Sequence, residues 1–132
     1  MTIKNIAEAR KYIGKVIYTA NNYGRKANSK NRVQKLYIGG VHLFYNQVDY
    51  NVLSFELYEN EKSTKGWGKV NLTNIADNFE PGEYDYYFFS LVEATKYCEW
   101  INKDEVERER ERDIAEAREL LKKHKINFEI FD

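Results

Sequence analysis

The chain has 132 residues and a mass of 15.7 kDa, with 42% apolar and 32% charged residues; that composition argues against a disordered chain, and the length is that of one domain, residues 1–132. Lysine plus arginine and aspartate plus glutamate each number 21, so no net field draws the protein onto long nucleic acid or a membrane, and any anion site has to be local. A single cysteine, Cys98, with only His42 and His124 beside it, excludes a disulfide framework and the common zinc sites. The first residues carry a charge every few positions and no apolar run approaches the roughly 18 residues of a membrane span, so a cytoplasmic protein is expected, in its own cell or in an infected host. Eleven tyrosines, seven phenylalanines and two tryptophans stand against one proline, a usage that an AT-rich genome produces without any functional cause.

Asn5 with Glu8 forms a capping box, which predicts a helix over 6–13 with Ile6, Ala9 and Ile13 on one face and Gly14 as a left-handed stop. Residues 15–20 are rich in β-branched and aromatic side chains and predict a strand. The polar stretch 21–31 reads as a loop. Strand signals return at 32–38 and 41–47, and Gly39-Gly40 between them predicts a hairpin with a type I′ turn, which needs positive φ at both positions. Residues 50–58 alternate Leu53, Phe55 and Leu57 with Ser54 and Glu56, a strand with one buried face. A second loop over 60–68 precedes short strands at 69–73 and 84–89, joined by an acidic connection ending in Pro81-Gly82. Five or six short strands predict a small antiparallel β-sheet or open barrel over 1–89.

The period then changes. Ser90 with Glu93 is a second capping box, followed by Leu91, Ala94, Tyr97, Cys98 and Ile101 at helical spacing; Asp104 with Glu107 repeats the signal. The region 90–125 is therefore one bent helix or two, and the whole is an α+β fold with one or two C-terminal α-helices. The first turns of the second segment are too charged for a core and allow i,i+3 pairs Glu105–Arg108, Glu107–Arg110 and Glu109–Arg112. In the tail 126–132, residues 127–131 alternate loosely and suit an edge strand or packing back on the sheet.

Candidate ligand-binding residues fall in four places. The loop 23–32 holds Tyr23, Arg25, Asn28 and Arg32 with Lys26 and Lys30 and no acid, a donor set suited to phosphate, or else a solvated basic loop. Arg108 and Arg112 lie one turn apart and either clamp phosphates or pair with neighbouring glutamates. Trp67, between two glycines in a polar loop, can stack on a base or cover the sheet edge. Tyr87 and Phe89 belong to an aromatic run that strand alternation also accounts for. His42, His124, the acidic stretch 77–85 and Cys98 assemble no nucleophile, base and orienter, and neither a metal nor a cofactor is implied, so the chain reads as a binder and not an enzyme.

A small sheet followed by a helical C-terminal third rich in Glu and Arg, with Arg108 and Arg112 on the helix, resembles the phage Thoeris anti-defence sponge proteins. The resemblance implies a viral protein that sequesters a cyclic ADP-ribose isomer without hydrolysing it and so silences a bacterial anti-phage defence. It further implies a homodimer or higher homo-oligomer, with the ligand near a subunit contact, the arginines on its phosphates and aromatic residues, with Tyr87, Phe88 and Phe89 as candidates, on its adenine. From a different class, an anti-CRISPR-like inhibitor docking on a defence nuclease fits the mixed-charge helix and the acidic 77–85 segment. An enzyme degrading such a signal is the third reading.

Overall fold

The computed structural model describes residues 5–23, 26, 29–46, 50–60, 66–82 and 84–124. Arg25, Asn28 and the edge strand expected at 127–131 lie outside these.

Helix α1 (Ile6–Arg10) opens as its sequence dictates, the Asn5 side chain accepting from the Glu8 amide at 2.9 Å. It ends earlier than expected. Residues 11–14 form a turn that Gly14 closes at φ +90°, and the Gly14 amide donates to the Ile38 carbonyl at 2.7 Å. That early stop turns Tyr12 inward and leaves Ile13 46% exposed, so the expected helical face does not include Ile13.

Six strands follow: β1 (Val16–Asn21), β2 (Arg32–Asn46), β3 (Tyr50–Tyr58), β4 (Gly66–Asn71), β5 (Ile75–Ala76) and β6 (Tyr87–Phe88). Their order across the sheet is β4-β3-β2-β1-β6-β5. Every pairing is antiparallel except β5 with β6, which is parallel. The three-residue 3₁₀ turn Leu72–Asn74 leaves one edge strand, β4, and delivers the chain to the opposite edge, β5. Two edges joined by so short a tether force the sheet to curl, and the result is a mixed half-barrel.

The expected Gly39-Gly40 hairpin is not formed. β2 runs unbroken through both glycines, neither of which has positive φ, and a register shift against β3 falls between Ile38 and Gly40. The glycines serve a bulge over which β3 lays two large side chains: a β-carbon on Gly39 would collide with the Tyr58 ring, and one on Gly40 would come 2.6 Å from the Glu56 carboxylate. The last strands also differ from expectation. Gly66 and Trp67 belong to β4 and not to a loop, residues 72–74 form the 3₁₀ turn, β5 lies within the acidic connection, and only Tyr87 and Phe88 of the aromatic run make a ladder.

Each face of the curled sheet carries a core. On the concave face Ile17, Leu36, Ile38, Phe55, Leu57 and Val70 are buried together with Ala9 of α1 and Ile75 of β5. The other face, at the β1-β6-β5 end, is covered by α2 (Leu91–Ile101), whose Ala94, Tyr97, Cys98 and Trp100 pack on Ala20 and Phe88. Strand alternation explains why adjacent Ile17 and Tyr18, or Tyr87 and Phe88, serve opposite cores. Buried Thr19 directs its hydroxyl to the Tyr86 carbonyl at 2.7 Å, tying β1 to the entry of β6.

Two C-terminal helices form, not one. Ser90 caps α2, which ends at Asn102; Asp104 accepts from the Glu107 amide at 3.1 Å and starts α3 (Glu105–His124). Among the described residues no helix is long and apolar enough to cross a membrane.

Candidate functional site

Three aromatic side chains from distant parts of the sequence meet where the half-barrel stays open. Trp67, on edge strand β4, has its ring centre 6.0 Å from Tyr23, just beyond β1, and 6.3 Å from Tyr87 on β6 at an interplanar angle of 81°. Three strands separate β4 from β6 in the sheet, so the Trp67–Tyr87 contact spans the open seam of the barrel. Below it, Phe89 stacks on Tyr12 at 5.1 Å and Tyr12 touches Phe55 at 6.0 Å, so the ledge rests on the concave core. Trp67 lies on a strand and not in a loop, and it is half-buried against the concave core, as its alternative reading as a cover of the sheet edge has it.

Tyr23 is the exposed member, at 64%. The Asn21 carboxamide accepts its backbone amide at 3.2 Å and turns the chain out of β1; the Asn22 carboxamide donates to the Ser29 carbonyl at 3.4 Å across the base of the basic loop. Tyr23 therefore joins that loop to the ring cluster. Lys26, Lys30 and Arg32 on the same stretch are exposed, Arg32 being the residue that pairs with Asn21 where the loop re-enters the sheet. Burial, reinforced by the charges of Tyr23, Asp85 and Tyr97, pushes the Tyr87 phenol up to about 12, so at neutral pH it presents a protonated hydroxyl.

Arg108 and Arg112 lie elsewhere. They sit on α3, away from the concave face, both half-buried. Arg108 donates to the Ile101 carbonyl at the far reach of a hydrogen bond, 3.5 Å, and its Nε is shielded without a partner among the described residues. Arg112 lays its aliphatic stem against Gly82, where a β-carbon would come 3.4 Å from Cγ, and pairs loosely with Glu109 at 3.8 Å. Of the three i,i+3 pairs expected on this helix, that is the one formed among the described residues. A cleft of about 450 Å³ opens farther along α3, lined by Glu80, Pro81, Ala115, Glu116, Glu119 and Leu120. Of the candidates described, then, Tyr23, Trp67 and Tyr87 come together with Phe89 beneath and Arg32 at the loop base, while Arg108 meets the end of α2 and Arg112 meets Gly82.

Sequence reasoning passed over Tyr12, which underpins the ledge; the signal was its place just past a helix that Gly14 stops. It also passed over Asn102, whose carboxamide accepts from the Asn31 amide at 2.8 Å and donates to the Asn31 carbonyl at 2.9 Å, clamping the basic loop's last residues to α2. On the outer face of β2 and β3, His42 contacts the Glu56 carboxylate, which also accepts from the Tyr58 hydroxyl at 3.4 Å.

Among the described residues, the ledge offers stacking and hydrogen bonding. Cys98 is buried, its thiol donating to the Asn31 carbonyl at 3.3 Å, and burial pushes its pKa up, which disfavours the nucleophilic thiolate. Among the described residues no three of His, Cys, Asp and Glu converge as metal ligands. No protein family, curated protein or solved structure matches the chain.

Proposed function

We propose that the protein is a non-enzymatic binder of a nucleotide-sized ligand, a sponge for a cyclic ADP-ribose-like immune signal, and that the ledge of Tyr23, Trp67 and Tyr87 takes the flat base. The observation that carries this reading is the convergence of those three rings at the barrel seam, with the basic loop beginning at Tyr23 itself. Base stacking on aromatic faces contributes about 1–3 kcal/mol per base. Charge-assisted hydrogen bonds from the loop's lysines and arginines contribute about 1.5–3 kcal/mol each. Two or three of the latter with stacking reach the range of a micromolar or tighter complex, about 8 kcal/mol. Such a ligand lies beside the loop's cations and not on Arg108 and Arg112.

The test is retention. The protein is incubated with a panel of signalling nucleotides, freed of unbound ligand, and boiled; the released molecule is identified by mass. Intact nucleotide released from the wild type and lost from Tyr23→Ala, a change at an exposed ring that leaves the fold standing, is the expected result. A panel in which nothing is retained, or retention indifferent to both Tyr23→Ala and Trp67→Ala, overturns the reading. Release of an altered mass points to an enzyme instead.

A further inference from the structure

Past Arg112, whose stem rests on Gly82, helix α3 runs on beside the Glu80-Pro81 connection. Ala115, Glu116, Glu119, Leu120 and Lys123 follow one another at i, i+1, i+4, i+5 and i+8, which places them along one side of the helix, and all five line the cleft of about 450 Å³ together with Glu80 and Pro81. The apolar part of that lining is Pro81, Ala115 and Leu120. The charged part sets three carboxylates against one ammonium, a net of two negative charges. Among the described residues none of the three carboxylates is engaged in a hydrogen bond or an ion pair. The last carbonyls of α3, which ends at His124, add the negative end of the helix dipole to the same field. A second hollow of about 240 Å³ shares Glu80 and Pro81 and continues to Ala76 of β5 and Phe88 of β6.

We infer that the two hollows form one docking groove for an extended segment of a partner protein, a segment that carries an aliphatic side chain flanked by lysines or arginines. Charge complementarity decides the occupant. Unpaired carboxylates around the cleft repel phosphates and acidic segments, so a nucleotide is not the guest here, whereas they attract ammonium and guanidinium groups and speed their encounter. The apolar lining supplies what a bare cation does not use: an aliphatic side chain laid on Pro81 and Leu120 removes surface from water on both partners. Adjoining hollows with a common wall suit a chain that sets one side chain in each, with the flanking cations over Glu116 and Glu119. The groove includes none of the rings of the ledge, so it stands apart from nucleotide binding.

Fluorescence anisotropy on the full chain, without nucleotide and with a labelled Lys-Leu-Arg-Leu-Lys peptide as probe, tests the groove. Saturable binding is expected, about tenfold or more tighter than that of a Glu-Leu-Glu-Leu-Glu peptide, and weaker as salt rises. Glu116→Gln with Glu119→Gln, both at exposed positions, is expected to weaken it about tenfold. Leu120→Gln is expected to weaken it about fivefold, an effect that persists at high salt because it is not electrostatic. Unchanged helical circular dichroism in both variants shows that the fold stands. Absence of saturable binding overturns the proposal, as does binding indifferent to either variant. Displacement of the peptide by spermidine at equal charge also overturns it, since the cleft then takes cations of any shape.

Discussion

Gly39 and Gly40 show how one dipeptide supports two local structures. Both a hairpin turn and a bulge under large cross-strand side chains need residues without a β-carbon, and only the Tyr58 ring and Glu56 carboxylate lying over them select the second. Gly39→Ala is expected to cost about 1–3 kcal/mol in urea unfolding, because the methyl meets an aromatic ring that cannot step aside cheaply. Repeating the substitution in a Tyr58→Ala background is expected to recover most of that loss, a coupling that a mere propensity effect would not produce. The neighbouring Glu56 carboxylate is held below the usual carboxylate range, first by its hydrogen bond to His42, against an opposing contribution from burial, with help from Tyr58 and Lys69. A folded pKa below the unfolded value, about 4.3, contributes stability that is present above that pH and is lost as pH falls through the folded value. The melting temperature of the wild type is therefore expected to fall more steeply than that of Glu56→Gln once pH drops below about 4; parallel profiles would show that the His42 contact does not stabilise the fold.

At the scale of elements, what a local signal governs was legible. All three capping residues, Asn5, Ser90 and Asp104, accept the amide three residues on, because a cap concerns only adjacent residues and one orphan donor. The choice between one bent helix and two was settled by Asp104 and by Asn102, whose side chain turns aside to hold Asn31. Since α3 touches the rest of the protein through a few side chains such as Arg108 and Arg112, its stability leans on that cap. Asp104→Ala is expected to cost the helix about 1 kcal/mol and to lower the far-ultraviolet helical signal in the native baseline while leaving the midpoint of global unfolding nearly unchanged. Short strands were the least legible. β5 has two residues and exists because β6 lies beside it, a partner chosen by the chain's return path and not by the Ile75-Ala76 dipeptide.

Over the whole molecule, the half-barrel is held by a covalent tether at one end of its seam, the 72–74 turn, and by Trp67 against Tyr87 beside it. Trp67→Ala is expected to cost roughly 2 kcal/mol, less than the ~3–5 kcal/mol of a fully buried aromatic, and to widen the seam. Loss of the protection of the Tyr87 phenol should accompany it: in a phenolate absorbance titration the wild type is expected to show Tyr87 ionising near pH 12, and Trp67→Ala is expected to move that step back toward the ordinary tyrosine range. Among the candidate binding residues, the exposed Tyr23 and its basic loop were legible from composition, whereas their union with Trp67 and Tyr87 was not, since sequence separation carries no information about which edges of a sheet approach. By itself the sequence determined the α+β class, the helix starts, the alternating core positions of β3 and the absence of a cysteine framework, because period, capping and composition are local. Only the tertiary structure decided that the sheet curls, that the rings gather at its seam, that Arg108 meets the end of α2 and Arg112 meets Gly82, and that Val106 and Ile114 of α3 are exposed. Each of those is a choice of partner, made by the short tether between opposite edges and by the packing of side chains far apart in the chain.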